Sequence, residues 1–109
     1  MLEPLFESKI KENILLYLFI NNISYPSELS RNFNLNLFAV QNQLKKLESG
    51  GVLYSQLKGN VRLYGINPRY PFKKELEALL DRVYDFLNDE VKEKYYIKRT
   101  RPRKSGKPL

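Results

Sequence analysis

Amide and ammonium side chains cluster in one short stretch of the sequence. Gln41, Asn42 and Gln43 are consecutive, and Lys45 and Lys46 follow shortly after them. An amide can form two hydrogen bonds with the edge of adenine in the DNA major groove, and each good pair contributes about 1–3 kcal/mol of discrimination between bases. A lysine ammonium suits the phosphate backbone instead. The stretch therefore predicts a nucleic-acid recognition surface, although amides also occur on helix faces that contact only solvent.

Side chains for covalent catalysis or for Cys/His metal binding are absent from the sequence. It contains no cysteine and no histidine, which excludes disulfides, thiolate nucleophiles, Cys/His zinc sites and triads that need an imidazole. The 12 acidic residues form no tight cluster among apolar neighbours that would raise a carboxyl pKa. We therefore expect no enzyme, no metal site and no cofactor.

Positive charge is concentrated in two blocks of the chain. Residues 31–74 carry eight basic side chains and one acid, and residues 92–109 also carry eight and one, whereas residues 75–91 carry one basic and six acidic side chains. A field of this kind attracts a polyphosphate surface. The first block, residues 31–74, contains the three consecutive amides. The positive charge and the amide side chains therefore predict the same partner, a nucleic acid.

The apolar pattern predicts the elements that hold these side chains. Apolar residues recur at helical spacing over 5–21, 26–33, 37–49 and 72–91. A short strand is expected at 23–25, and alternation predicts strands at 52–58 and 61–66 around a hairpin tip at 58–60. Asn36 is a favoured N-cap for the helix at 37–49, which ends at Gly50-Gly51.

The segment from Val40 to Leu53 resembles the winged helix-turn-helix regulators of the ArsR type. The carrying residues are Leu44-Lys45-Lys46-Leu47-Glu48, followed by Gly50-Gly51 and the hairpin, and Ser27-Glu28-Leu29-Ser30 is similar to the preceding helix of that family. The resemblance covers residues 8–66. It implies a mainly α fold with a small β-hairpin (α+β) and a DNA-binding transcriptional regulator, most often a repressor.

This resemblance, together with the residue types, gives a set of site residues. The helix at 37–49 would enter the major groove, and the wing at 52–66 would contact the backbone or the minor groove. The predicted DNA-binding residues are Asn36, Phe38, Gln41, Asn42, Gln43, Lys45, Lys46, Lys58, Asn60 and Arg62. Phe38 has a second interpretation as a core or dimer residue, and Arg31 either joins this surface or pairs with an acid of the first helix. The metal sensors of the family use Cys and His ligands, so metal sensing is not expected here.

The helix at 72–91 carries more apolar residues than one narrow stripe requires. A second copy of the chain would cover the remainder, and a homodimer would present two recognition helices about 34 Å apart. The predicted dimerisation residues are Leu76, Leu79, Leu80, Val83, Phe86 and Leu87. Tyr70 and Phe72 are expected to cap the same core.

The predicted domain comprises residues 1–91, followed by a basic, disordered tail at 92–109. The tail either binds nucleic acid or acts as a solubilising extension. A signal peptide and a membrane span are not evident, which favours the cytoplasm, and no effector ligand can be read from the residues. The alternative function is a winged-helix module that binds protein or RNA.

Overall fold

The computed structural model describes residues 1–97. Its elements, in chain order, are α1 (Glu3–Phe6), α2 (Lys9–Asn21), α3 (Pro26–Phe33), α4 (Leu37–Ser49), β1 (Leu53–Lys58), β2 (Val61–Ile66), α5 (Lys73–Phe86), α6 (Asp89–Val91) and a π-helical turn (Lys92–Tyr96). The fold is mainly helical with one antiparallel hairpin, as the sequence predicts.

The first predicted helix is two helices. Glu7 lies in the left-handed region at φ 57° and ends α1. Ser8 then begins α2, because its side chain accepts a hydrogen bond from the Lys11 amide at 3.1 Å. The expectation of one continuous helix over 5–21 is therefore wrong. The separate α1 packs against α2 and buries Leu2 in the core.

The two helices of the predicted helix-turn-helix have the expected bounds. Pro26 begins α3, and Asn34 ends it in the left-handed conformation at φ 54°. The Asn36 side chain begins α4 by accepting a hydrogen bond from the Ala39 amide at 3.0 Å. Leu29 of α3 and Val40 and Leu44 of α4 have no exposed surface, so packing of apolar side chains holds these helices together.

The hairpin pairs Leu53 with Ile66 at its base and Lys58 with Val61 beside the turn. Gly59 occupies the turn at φ 61°, a conformation that glycine adopts without steric cost. The strand expected at 23–25 is reduced to one bridge, in which Ser24 exchanges backbone hydrogen bonds with Tyr64 at 3.1 and 2.7 Å. This bridge fixes the hairpin to the segment that enters α3.

The C-terminal segment departs from the prediction of one helix over 72–91. Leu87 is extended, so α5 ends at Phe86, and Asn88 then caps α6 by accepting from the Val91 amide at 2.9 Å. The chain folds back in the π-helical turn, whose Tyr96 is only 4% exposed. Residues 92–97 thus belong to the domain and correct the boundary predicted at 91. The rest of the predicted tail, 98–109, lies outside the described residues.

Asparagine side chains hold this returning segment against the helices. The Asn21 and Asn32 amides donate to the carbonyls of Tyr96 and Tyr95 at 2.7 and 2.6 Å. The Tyr96 hydroxyl donates to Asn13 Oδ1 at 3.3 Å. Around them, the Phe33 ring contacts those of Tyr17, Tyr95 and Tyr96 with centroids 5.6–5.9 Å apart. The segment is therefore attached by both hydrogen bonds and aromatic packing.

Two residues predicted for dimerisation lie in the core of this chain. Leu80 is fully buried and Val83 is 4% exposed, because both point from α5 toward α2. Leu76, Leu79 and Leu87 are partly buried and pack against the same core, whereas Phe86 is exposed. Assigning Leu80 and Val83 to a dimer interface is therefore wrong.

Candidate nucleic-acid interface

The side of α4 that faces away from the core carries most of the predicted recognition residues. Phe38 is 69% exposed, and Asn42, Lys45 and Lys46 are exposed with it. Val40, Leu44 and Leu47 form the opposite, buried stripe. A helix of this diameter fits the major groove, so these outward side chains could reach base edges and phosphates.

The three consecutive amides point in different directions. Successive residues of an α-helix are about 100° apart, so Asn42 is exposed while Gln41 and Gln43 lie on opposite flanks and are half-buried. Gln43 Oε1 is buried and has no hydrogen-bond partner within residues 1–97. Gln43 is therefore misplaced in the predicted reading surface, whose outward amide is Asn42.

Gln41 lines a cleft between α4 and the hairpin. The cleft has a volume of about 310 Å³. Its walls are Tyr25, Pro26, Ser27, Leu37, Gln41, Asn60, Val61 and Arg62. The structure thus brings Gln41 together with Asn60 and Arg62, which are far apart in the sequence. Tyr25 and Ser27 were not predicted here; Pro26 at the start of α3 is the feature that could have indicated them.

Lys58 and Asn60 are exposed at the hairpin tip, and Arg62 follows them on β2. Arg62 Nη1 donates to Ser55 Oγ at 3.0 Å, and Ser55 Oγ donates to Glu48 Oε2 at 2.6 Å. Glu48 is the one acid within residues 31–74. This chain of hydrogen bonds engages its carboxylate and connects the end of α4 to the hairpin.

Two further groups beside this surface have defined neighbours. The Arg31 guanidinium donates to the Tyr25 hydroxyl at 3.3 Å and lies 6.0 Å from the Tyr25 ring centroid, which places it on the α3 side and not on an acid of the first helix. Burial raises the pKa of the Tyr64 phenol, and the Glu48 charge adds to this effect while the Arg62 charge opposes it. Tyr64, a buried residue of β2, thus stays neutral at physiological pH.

Asn36 is exposed, and its Oδ1 is used in the N-cap of α4.

Within residues 1–97, no group of three or more acidic side chains is arranged to hold a metal ion. None of the helices within this described part of the chain has the length and apolar character of a membrane span.

Solved structures share this fold at low sequence identity. The adhesin competence repressor AdcR from Streptococcus pyogenes aligns with 84% of this chain and 75% of its own at a TM-score of 0.56 and 17% identity. YusO from Bacillus subtilis aligns with 82% of this chain and 71% of its own at a TM-score of 0.58 and 18% identity. The C30S mutant of Lactococcus lactis ZitR, solved in complex with DNA, aligns with 79% of this chain and 66% of its own. The TM-score is 0.50 and the sequence identity is 20%.

These likenesses show the winged-helix fold. The aligned structures support the predicted winged helix-turn-helix fold and give no support for the ArsR-type assignment. The chain spans about two thirds of ZitR's length. No family model and no curated protein matches the sequence.

Proposed function

We propose that this chain is a sequence-specific regulator of transcription that binds double-stranded DNA, with α4 in the major groove and the hairpin on the backbone or the adjacent minor groove. The observation that carries the proposal is the cleft between α4 and the hairpin, which Gln41, Asn60 and Arg62 line. Asn42 and Lys45 are exposed on the same helix, α4. Amides for base edges and cations for phosphates are the two contact types that such an interface needs.

The charge on this face supports DNA over an uncharged partner. Lys45, Lys46, Lys58 and Arg62 are exposed, while the carboxylate of Glu48 is engaged by Ser55. Each cation that neutralises a phosphate releases condensed counterions, so affinity should fall steeply with salt.

Occupancy of an operator is sufficient to block transcription, so a repressor needs no catalytic group. We propose such a repressor, acting in the cytoplasm as a homodimer. Two copies related by a two-fold axis would present their α4 helices to half-sites about 34 Å apart.

Selection of random DNA duplexes by the purified protein tests this function. We expect enrichment of an inverted repeat with half-sites about one helical turn apart, and affinity that declines with salt. Lys45→Ala should weaken binding to every duplex, whereas Lys74→Ala, on the exposed surface of α5, is the matched control. Equal affinity for selected and unrelated duplexes would contradict the proposal and favour a module that binds protein or RNA.

A further inference from the structure

An exposed aromatic ring lies in the first turn of α4. The Phe38 side chain is 69% exposed, the largest exposed fraction among the large apolar side chains within residues 1–97. The apolar residues that form the core or pack against it do not include Phe38. Its ring therefore contributes little to the packing of this domain and is accessible to a partner.

The first turn of α4 holds this ring at a defined position. Asn36 Oδ1 accepts a hydrogen bond from the Ala39 amide at 3.0 Å, and the Asn36 carbonyl accepts one from the Val40 amide at 3.1 Å. Both bonds span Phe38, so they order the backbone that carries it. A side chain on an ordered helix can be directed at a single group of a partner more precisely than one on a loop.

Polar and cationic side chains follow Phe38 along the outward face of α4. Asn42 lies about one helical turn after it and Lys45 about two turns after it, and both are exposed. The adjacent Leu37 is 42% exposed, but it is a wall of the cleft between α4 and the hairpin. The Phe38 ring is therefore a single apolar group on the polar face of this helix, whereas protein-docking surfaces are broad apolar patches.

The chemistry of the major groove limits what such a ring can contact there. The base edges present hydrogen-bond donors and acceptors, and the thymine C5-methyl is the one apolar group among them. A phenylalanine ring forms no hydrogen bonds with those donors and acceptors through a polar group of its own. On a helix in the major groove, the ring therefore gains affinity where it covers a thymine methyl.

We infer that Phe38 reads the C5-methyl of a thymine in the operator and that Asn42 reads an adenine close to it. The inference rests on the proposed function, the entry of α4 into the major groove, and names the base against the start of the helix. Residues one turn apart are separated by about 6 Å along the helix axis, whereas successive bases of a strand are about 3.4 Å apart. The thymine and the adenine therefore lie within about two base-pair steps of each other.

Replacement of thymine by uracil tests this contact, because it removes the C5-methyl alone. Each thymine of the selected half-site is replaced in turn, and fluorescence anisotropy gives the affinity of the full chain for each duplex. At one position we expect uracil to weaken binding about fourfold per half-site, the effect of exposing one methyl-sized group. The same replacement should leave the affinity of Phe38→Ala unchanged, because the protein partner of the methyl is already missing.

An adenine analogue with a carbon in place of N7 provides the reciprocal test, since it removes an acceptor that asparagine uses. At the adenine near that thymine, it should weaken the wild type and Phe38→Ala equally and leave Asn42→Ala unaffected. Phe72→Ala is the matched control for loss of an exposed ring, because Phe72 is 61% exposed and precedes α5. This control should keep the wild-type ratio of affinities for the thymine and uracil duplexes.

Two outcomes would overturn the inference while the proposed function stands. If no uracil replacement changes the affinity for the selected site, α4 reads no thymine methyl. If Phe38→Ala keeps the wild-type ratio of thymine to uracil affinity, the ring does not cover that methyl. Failure to select any duplex would instead overturn the proposed function and this contact together. Circular dichroism melting checks that Phe38→Ala is folded, as expected for an exposed position.

Discussion

The Ser55 hydroxyl lies 2.6 Å from Glu48 Oε2 and joins the middle of β1 to the last turn of α4. The same oxygen accepts from Arg62 on β2 at 3.0 Å. Ser55 is therefore a bridge between a carboxylate on one proposed DNA-binding element and a guanidinium on the other. Because it carries no charge, its role can be separated from that of the cation it holds.

Ser55→Ala should lower affinity for every duplex but leave the salt dependence nearly unchanged, since Arg62 keeps its charge and loses only its anchor. Arg62→Ala should lower affinity and also reduce the slope of log affinity against log salt by about one. Fluorescence anisotropy titrations over a salt series measure both quantities. Gln56→Ala, on an exposed neighbouring position of β1, is the control. A Ser55→Ala slope as shallow as that of Arg62→Ala would contradict this anchoring role.

Asn42→Ala should reduce discrimination between the selected site and unrelated DNA by about 1–3 kcal/mol, because an outward amide is lost while phosphate contacts remain. Gln43→Ala should leave discrimination nearly intact, because its Oε1 is buried. Competition titrations with specific and nonspecific duplexes compare the two variants. Equal losses would mean that α4 enters the groove on a different face.

Tyr96→Phe should destabilise the fold by about 1–3 kcal/mol, since it leaves the buried Asn13 Oδ1 without its donor. Tyr96→Ala should cost about 3–5 kcal/mol because a cavity is added. Urea unfolding measures both, with Ile97→Ala, at a half-exposed position, as the control. Wild-type stability in a chain that ends at Val91 would show that the returning segment is dispensable.

Stability should decline at high pH in part through Tyr17. Burial raises the pKa of its phenol to about 12, and the charge of Glu28 and a hydrogen bond to it act in the same direction. The unfolded phenol loses its proton near a pH of about 10. The contribution of the Tyr17 phenol to the free energy of unfolding is therefore complete below that pH and is lost as the pH rises toward 12.

Tyr17→Phe should reduce the number of protons released on unfolding in this window by up to about one. Unfolding free energies measured at a series of alkaline pH values give that number from their slope. An unchanged slope would show that Tyr17 ionises alike in both states.

The sequence predicts the secondary structure most accurately where the apolar periodicity and the helix-boundary residues agree. Pro26 and Asn36 mark the starts of α3 and α4, and Gly50-Gly51 marks the end of α4, so both helices and the hairpin lie where expected. Periodicity could not show the end of α5, because Leu87 and Val91 continue its apolar pattern while the backbone turns. Asn88 followed by two acids is the N-cap pattern that would have indicated a new helix.

The proposed site is predictable in its elements and less so in its side chains. The amides of Gln41, Asn42 and Gln43 look equivalent in the sequence. On a helix they lie about 100° apart, so that each has different neighbours. Similarly, Leu80 and Phe86 are both apolar, and only the packing of α5 on α2 separates the core residue from the exposed one. The charges around Tyr95 and Tyr96 favour a solvent-exposed tail, although two adjacent aromatic rings indicate a buried segment.

The hydrogen bonds that attach the returning segment also constrain the order of folding. They join residues 63 to 83 positions apart in the chain, whereas the hairpin and the contact of α3 with α4 are local. Closing such a long loop costs entropy before its contacts form. During synthesis Asn13, Asn21 and Asn32 leave the ribosome long before their acceptors and donor exist. We therefore expect the helix-turn-helix and hairpin to assemble first, and the aromatic cluster around Phe33 to close last.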